Sequence, residues 1–91
     1  MNKKRFVKAE LIGLTIEITN SKNKSLIGLK GKIIDETKNM LTIEKNNIIK
    51  RIIKDQSTLY FPKQKIKING KFLIGRSEDR LKKWKKKDIS D

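Results

Sequence analysis

Leu26-Ile27-Gly28-Leu29-Lys30-Gly31-Lys32-Ile33-Ile34-Asp35-Glu36 is the stretch on which the fold turns. Read as a strand, it puts Ile27, Leu29 and Ile33 in phase on one face and Lys30 and Lys32 on the other. Gly28 and Gly31 interrupt it, and glycine inside a strand marks a bulge or a sharp bend, as small barrels require. The same period of two recurs on both sides. Upstream, Leu14, Ile16 and Ile18 alternate with Thr15, Glu17 and Thr19. Downstream, Thr37-Lys38-Asn39 turns the chain into 40–45, where Leu41 and Ile43 alternate with Thr42 and Glu44. Asn46-Asn47 is a two-residue hairpin turn, since Asn tolerates the positive φ that a type I′ turn needs.

Residues 48–54 also suit a helix face, but their β-branched content and entry from a hairpin favour a strand. Asp55-Gln56-Ser57 leads into a strand over 58–61, which Pro62 ends or places at an edge. Ile66 and Ile68 alternate with Lys65 and Lys67, and Asn69-Gly70 reads as a hairpin turn into Phe72-Leu73-Ile74. The period changes at both ends of the chain. Val7, Leu11 and Leu14 recur at i, i+4, i+7, with Gly13 as a stop, which makes 4–12 helix-compatible. Ser77 is a good N-cap, Glu78 and Asp79 suit a helix dipole, and Leu81 and Trp84 share a face, which predicts a helix over 77–87. The expected class is mainly β, a small strongly bent antiparallel sheet or barrel with N-terminal and C-terminal helices. The expected division is a basic arm over 1–8, a β domain over 9–76, and a basic helix and tail over 77–91.

Composition limits the chemistry. Among 91 residues there are 24 Lys and Arg against 10 Asp and Glu, and neither His nor Cys. That excludes a disulfide framework, a Cys/His zinc site, a thiol nucleophile and an imidazole base. The formal charge of +14 points to a polyanionic partner. It is not confined to tails, because residues 10–75 carry thirteen basic and six acidic groups. Lys outnumbers Arg 20 to 4, so genome bias is a competing source of part of the charge. No apolar run approaches the roughly 20 residues that span a bilayer, and no apolar segment follows the basic start, so a cytoplasmic protein without a signal peptide is expected.

The ten acids are scattered. Asp35 and Glu36 are adjacent on a strand and should point to opposite faces, which makes a poor metal clamp. Glu78 and Asp79 suit a helix start better than catalysis. No phosphate-cradling glycine loop is present. No catalytic residue, metal ligand or bound cofactor is therefore assigned. Nucleic-acid binding is better supplied, since contact with phosphates needs only a contiguous positive surface. The candidates are Lys30, Lys32, Lys50, Arg51, Arg76 and Arg80, with Lys82 and Lys83 adding a screened contribution from the tail. Arg76 and Arg80 suit fork-like phosphate contacts, although a pair with Glu78 or Asp79 uses the same geometry. With five aromatics, of which only Tyr60 is a candidate stacking platform, recognition of structured RNA through its backbone is expected over reading of single strands.

Three blocks carry a family likeness: Ala9-Glu10-Leu11-Ile12-Gly13, then Ser25-Leu26-Ile27-Gly28-Leu29-Lys30-Gly31-Lys32-Ile33-Ile34-Asp35-Glu36-Thr37, then Leu73-Ile74-Gly75-Arg76-Ser77-Glu78-Asp79-Arg80-Leu81. In this order and spacing the chain resembles archaeal ribonuclease P protein component 1 over about residues 9–83. The resemblance implies a strongly curved Sm-like (SH3-like) barrel with terminal helices. It implies a protein subunit of ribonuclease P, which removes the 5′ leader from precursor tRNA. In such a particle the RNA with bound magnesium carries the cleavage, and this chain would be inactive alone. The implied partners are the ribonuclease P RNA and a small zinc-ribbon protein subunit, with precursor tRNA contacted indirectly. By position, the protein interface would involve Val7, Leu11 and Leu14, which ordinary core packing would explain equally well. Fold and charge alone leave another reading open, a different small basic barrel of ribosomal or chromatin type.

Overall fold

The computed structural model describes residues 10–75. Within them the alternating segments form six strands: β1 (Thr15–Ser21), β2 (Lys30–Glu36), β3 (Met40–Lys45), β4 (Ile48–Ile53), β5 (Ser57–Phe61) and β6 (Ile66–Asn69). They make one antiparallel sheet in the order β4-β3-β2-β1-β5-β6. Inward positions are filled by Ile16, Ile18, Ile33, Leu41, Ile43, Ile52, Leu59, Phe61, Ile66 and Ile68. Leu11 and Leu73, from the flanking segments, join them in one core. Each such side chain withdraws enough apolar surface from water to contribute roughly 1.5–3 kcal/mol.

The sheet bends but does not close, which corrects the expectation of a barrel. A closed barrel would need a ladder between β4 and β6, the two strands that end the sheet order. Each instead runs into a 3-10 helix, Lys54–Gln56 after β4 and Gly70–Leu73 after β6, and those two helices pack together. At that corner Gly70 is buried, and a Cβ on it would overlap the Lys54 carbonyl. Asn69-Gly70 is therefore not the hairpin turn its sequence suggests. Asn69 stays extended (φ −70°, ψ 130°) and its Oδ1 accepts from the Lys71 N–H at 2.9 Å, capping the 3-10 helix. Phe72-Leu73-Ile74 consequently does not continue as a strand.

Two further corrections concern the stretch 26–36. The strand begins only at Lys30, because Gly28 adopts φ +89° in the turn before it and Lys24–Leu26 form a 3-10 helix. Ile27 is exposed, not in phase with Ile33. Gly31 does not bend the strand. It is buried where β2 lies close under β3, and a Cβ there would come 2.9 Å from the Glu44 carbonyl oxygen. The bulges lie elsewhere, between Ile18 and Asn20 in β1 and between Ile33 and Asp35 in β2. Each lets two successive residues face outward and shifts the phase of the rest of the strand. Ser21 and Glu36 are buried as a result.

Residues 10–12 of the predicted N-terminal helix are not helical. They enter a turn at Ile12-Gly13, closed by the Leu14 N–H donating to Leu11 O at 3.1 Å. Residues 4–9 and the predicted helix over 77–87 lie outside the described residues. The β3–β4 hairpin follows the sequence reading, with Asn46 and Asn47 at φ 52° and 65°. Among the described residues no helix is long and apolar enough to cross a membrane.

Candidate nucleic-acid interface

Residues directly opposite one another in an antiparallel pair share a face, so the strand registers map the surface. One row on the outer face runs Lys67, Tyr60, Glu17, Lys30 across β6, β5, β1 and β2. The next runs Thr15, Lys32, Glu44, Ile49 across β1 to β4. A third pairs Thr42 with Arg51 beside exposed Asp35. Alternation along β2 explains why Lys30 and Lys32 lie together here, since Gly31 and Ile33 take the inward positions.

The outer face is thus mixed, with Glu17, Glu44 and Asp35 set between the cations. Lys30 Nζ approaches Glu17 Oε1 at 3.9 Å, and both side chains are well solvated at 59% and 36% exposure. Such a contact is worth little and would yield readily to a phosphate. Tyr60 is half-buried in its row, flanked by Glu17 and Lys67.

Lys50 is separated from Arg51, although the two are adjacent in sequence. Its partner is Ile43, on the inner side of β4, while Arg51 faces outward opposite Thr42. Lys50 joins Lys30 and Lys45 around a groove of about 120 Å³ floored by Leu29, Ile43 and Ile48, with no carboxylate in its lining. Lys45 escaped the sequence reading because it closes a strand. Only the register, which sets it against Ile48, brings it to the groove. A run at 63–71 was passed over as well. Lys63, Lys65, Lys67 and Lys71 are all exposed and no acid lies among them. Lys71 Nζ lies 5.1 Å from the Phe72 ring centroid, a cation–π contact that steadies one of them. A second groove, of about 240 Å³ and including Asn20, Gln56, Thr58 and Asn69, sets Lys22 against Asp55 and offers no net positive charge.

The largest departure from sequence expectation is Lys54. It is fully buried, and its Nζ donates to Glu36 Oε2 at 2.8 Å, Thr37 O at 2.8 Å, Gly75 O at 2.9 Å and Lys38 O at 3.3 Å. This ammonium joins the β2–β3 turn, the 3-10 helix after β4 and the last described residue. Glu36 is held there, while Asp35 remains outside and accepts from the Glu36 N–H at 2.9 Å. Among the described residues no three carboxylates gather in a group that could hold a metal ion.

Other predicted site residues fall differently. Leu11 is fully buried in this chain's own core, while Leu14 is half-buried against that core. Val7, Arg76, Arg80, Lys82 and Lys83 lie outside the described residues.

Residues 4–83 match the family described as Ribonuclease P/MRP, subunit p29. The chain is 51% identical over 77 residues to ribonuclease P protein component 1 of Methanocaldococcus jannaschii, an alignment covering 81% of each. It is 44% identical over 90 residues to the protein of that name from Pyrococcus furiosus, covering 94% of this chain and 71% of the relative. Among solved structures it resembles Mth11, described as a homologue of the human RNase P protein Rpp29. The TM-score is 0.55 at 32% identity, over 79% of this chain and 97% of that one.

Proposed function

The chain belongs to the ribonuclease P/MRP subunit p29 family, and on that premise we propose that it acts in the ribonuclease P particle as a non-catalytic, RNA-binding subunit. Family membership makes it a component of a tRNA-processing endoribonuclease, with relatives in archaea. The observation that carries the reading is the match over 80 of its residues, 4–83, nearly the whole chain.

Phosphate contacts fall on Lys30, Lys32 and Lys67 of the outer face, and on Arg76, Arg80, Lys82 and Lys83. Catalysis belongs to the RNA, whose bound magnesium supplies the charge stabilisation for 5′-leader removal. A zinc-ribbon protein subunit shares the work by binding near the start of the chain, through Val7 and the exposed part of Leu14. The setting is the cytoplasm. This chain supplies positive charge on a rigid sheet, which neutralises phosphate repulsion and so reduces the magnesium needed to fold the RNA.

The test is reconstitution. Adding the chain to the particle's RNA and its other proteins should raise precursor-tRNA 5′ cleavage at low magnesium. An unchanged rate across the magnesium range would overturn the reading. The purified chain alone should leave precursor tRNA intact.

A further inference from the structure

The two ends of the sheet are finished differently. β6 has four residues, buries both its isoleucines, and shows solvent Lys67 and Asn69, which is how natural proteins keep an edge from pairing with other chains. β4 is the other edge and breaks that practice. It reads Ile48-Ile49-Lys50-Arg51-Ile52-Ile53, contains no proline, and among the described residues nothing lies beyond it in the sheet. Only Ile52 is buried, and Ile48, Ile49 and Ile53 are 60%, 57% and 40% exposed. Exposed aliphatic surface on an unpaired strand edge marks an interaction site.

Charge decides among possible occupants. Lys50 and Arg51 stand mid-strand on opposite faces, and Lys30 and Lys45 line the groove beside Ile48. The chain's own segments 1–9 and 76–91 carry net charges of +4 and +3, so neither brings net negative charge to these cations. A second copy laid along β4 would set Lys50 and Arg51 against their equivalents. RNA would satisfy the cations, but it has no use for three exposed isoleucines or for a row of backbone N–H and C=O groups. An acidic extended polypeptide uses all three features.

We propose that β4 receives a strand from another protein, paired along its free edge, whose sequence reads apolar-apolar-acid-acid-apolar-apolar. The pattern follows from cross-strand pairing, with acids opposite Lys50 and Arg51 and apolar side chains opposite the isoleucines. Because the β4 pattern reads the same in both directions, parallel and antiparallel pairing both satisfy it. Lys50 and Arg51 then serve protein docking rather than phosphate binding, which separates them from Lys30 and Lys32. This goes beyond the RNA-binding role and does not depend on it.

The experiment uses the full chain, isotope-labelled, titrated with an end-capped peptide containing Val-Val-Glu-Glu-Val-Val and with its Val-Val-Lys-Lys-Val-Val counterpart. The acidic peptide should bind at least tenfold tighter, shift the β4 amide resonances and slow their hydrogen exchange. Ile48→Thr/Ile49→Thr should weaken it at least tenfold while leaving the thermal midpoint and the affinity for structured RNA unchanged. Lys50→Glu/Arg51→Glu should reverse the preference between the peptides. Equal binding of both peptides, shifts confined to other strands, or no binding in the millimolar range overturns the proposal. So do β4 amides on the free edge, those not bonded to β3, already slow to exchange in the free monomer, self-association lost in Ile48→Thr/Ile49→Thr, or protection of those amides by RNA alone.

Discussion

Lys54 is the buried side chain that ties the β2–β3 turn and Gly75 to the corner after β4. Its ammonium is removed from water and repaid by one carboxylate and three carbonyl oxygens drawn from two separate segments. Removing one member of such a pair leaves the other charge buried, at a cost of roughly 3–5 kcal/mol. Lys54→Met should therefore destabilise by about that amount, a large share of the roughly 5–15 kcal/mol that holds a small domain together. Urea unfolding of Lys54→Met, Glu36→Leu and the double variant should give non-additive losses, with the double variant more stable than Lys54→Met alone. Strictly additive losses would mean that the ion pair contributes nothing beyond packing. No local pattern in the sequence distinguishes this lysine from the other nineteen. What singles it out is the corner where the two 3-10 helices meet.

Among the elements, β4 and the β3–β4 hairpin give the sharpest contrasts. Ile52 and Ile49 lie in one strand, yet one is fully buried and the other 57% exposed. Ile52→Ala should cost about 2–5 kcal/mol through the cavity it leaves. Ile49→Ala should stay within about 0.5 kcal/mol, as surface changes do. Thermal melts of the two variants check the assignment of faces, and equal losses would contradict the β3–β4 register. At the turn, Asn46 and Asn47 both hold positive φ. Replacing both with Val should cost roughly 1–2 kcal/mol at each, because a Cβ-branched residue in the left-handed region collides with its own backbone. Asn47→Gly should be neutral or stabilising in the same melts. This hairpin could be read in the sequence because its turn chemistry is local. The bulges could not, since Ile34 and Thr19 differ in no intrinsic way from their neighbours. Only the partner strand determines where an extra residue is accommodated.

For the whole molecule, the relevant quantity is the positive charge carried on folded surface and its response to salt. Each phosphate contact releases a counterion, so the logarithm of RNA affinity should fall linearly with the logarithm of salt concentration. Lys30→Ala and Lys32→Ala should each reduce that slope by roughly one unit while leaving the thermal midpoint nearly unchanged. Slopes identical to wild type would move the phosphate contacts off the outer face. The mixed rows of that face, with Glu17 and Glu44 between the lysines, predict moderate affinity for this chain alone, with the particle's other components supplying the rest.

Strand identity over most of the sheet, the Asn46-Asn47 turn and the family likeness were legible in the residues. Each depends on local periodicity, backbone preference or residue inventory, which the chain carries before it folds. Three things came only from the folded chain. The sheet stays open because the segments after β4 and β6 pack as 3-10 helices where a barrel would have a ladder. Lys54 is buried because the β2 bulge turns Glu36 inward to meet it. The predicted cations divide into an outer row and a strand edge because register, not sequence distance, decides which side chains share a face. All three involve residues far apart in sequence, and their placement is set by how backbone and side chains satisfy one another in three dimensions.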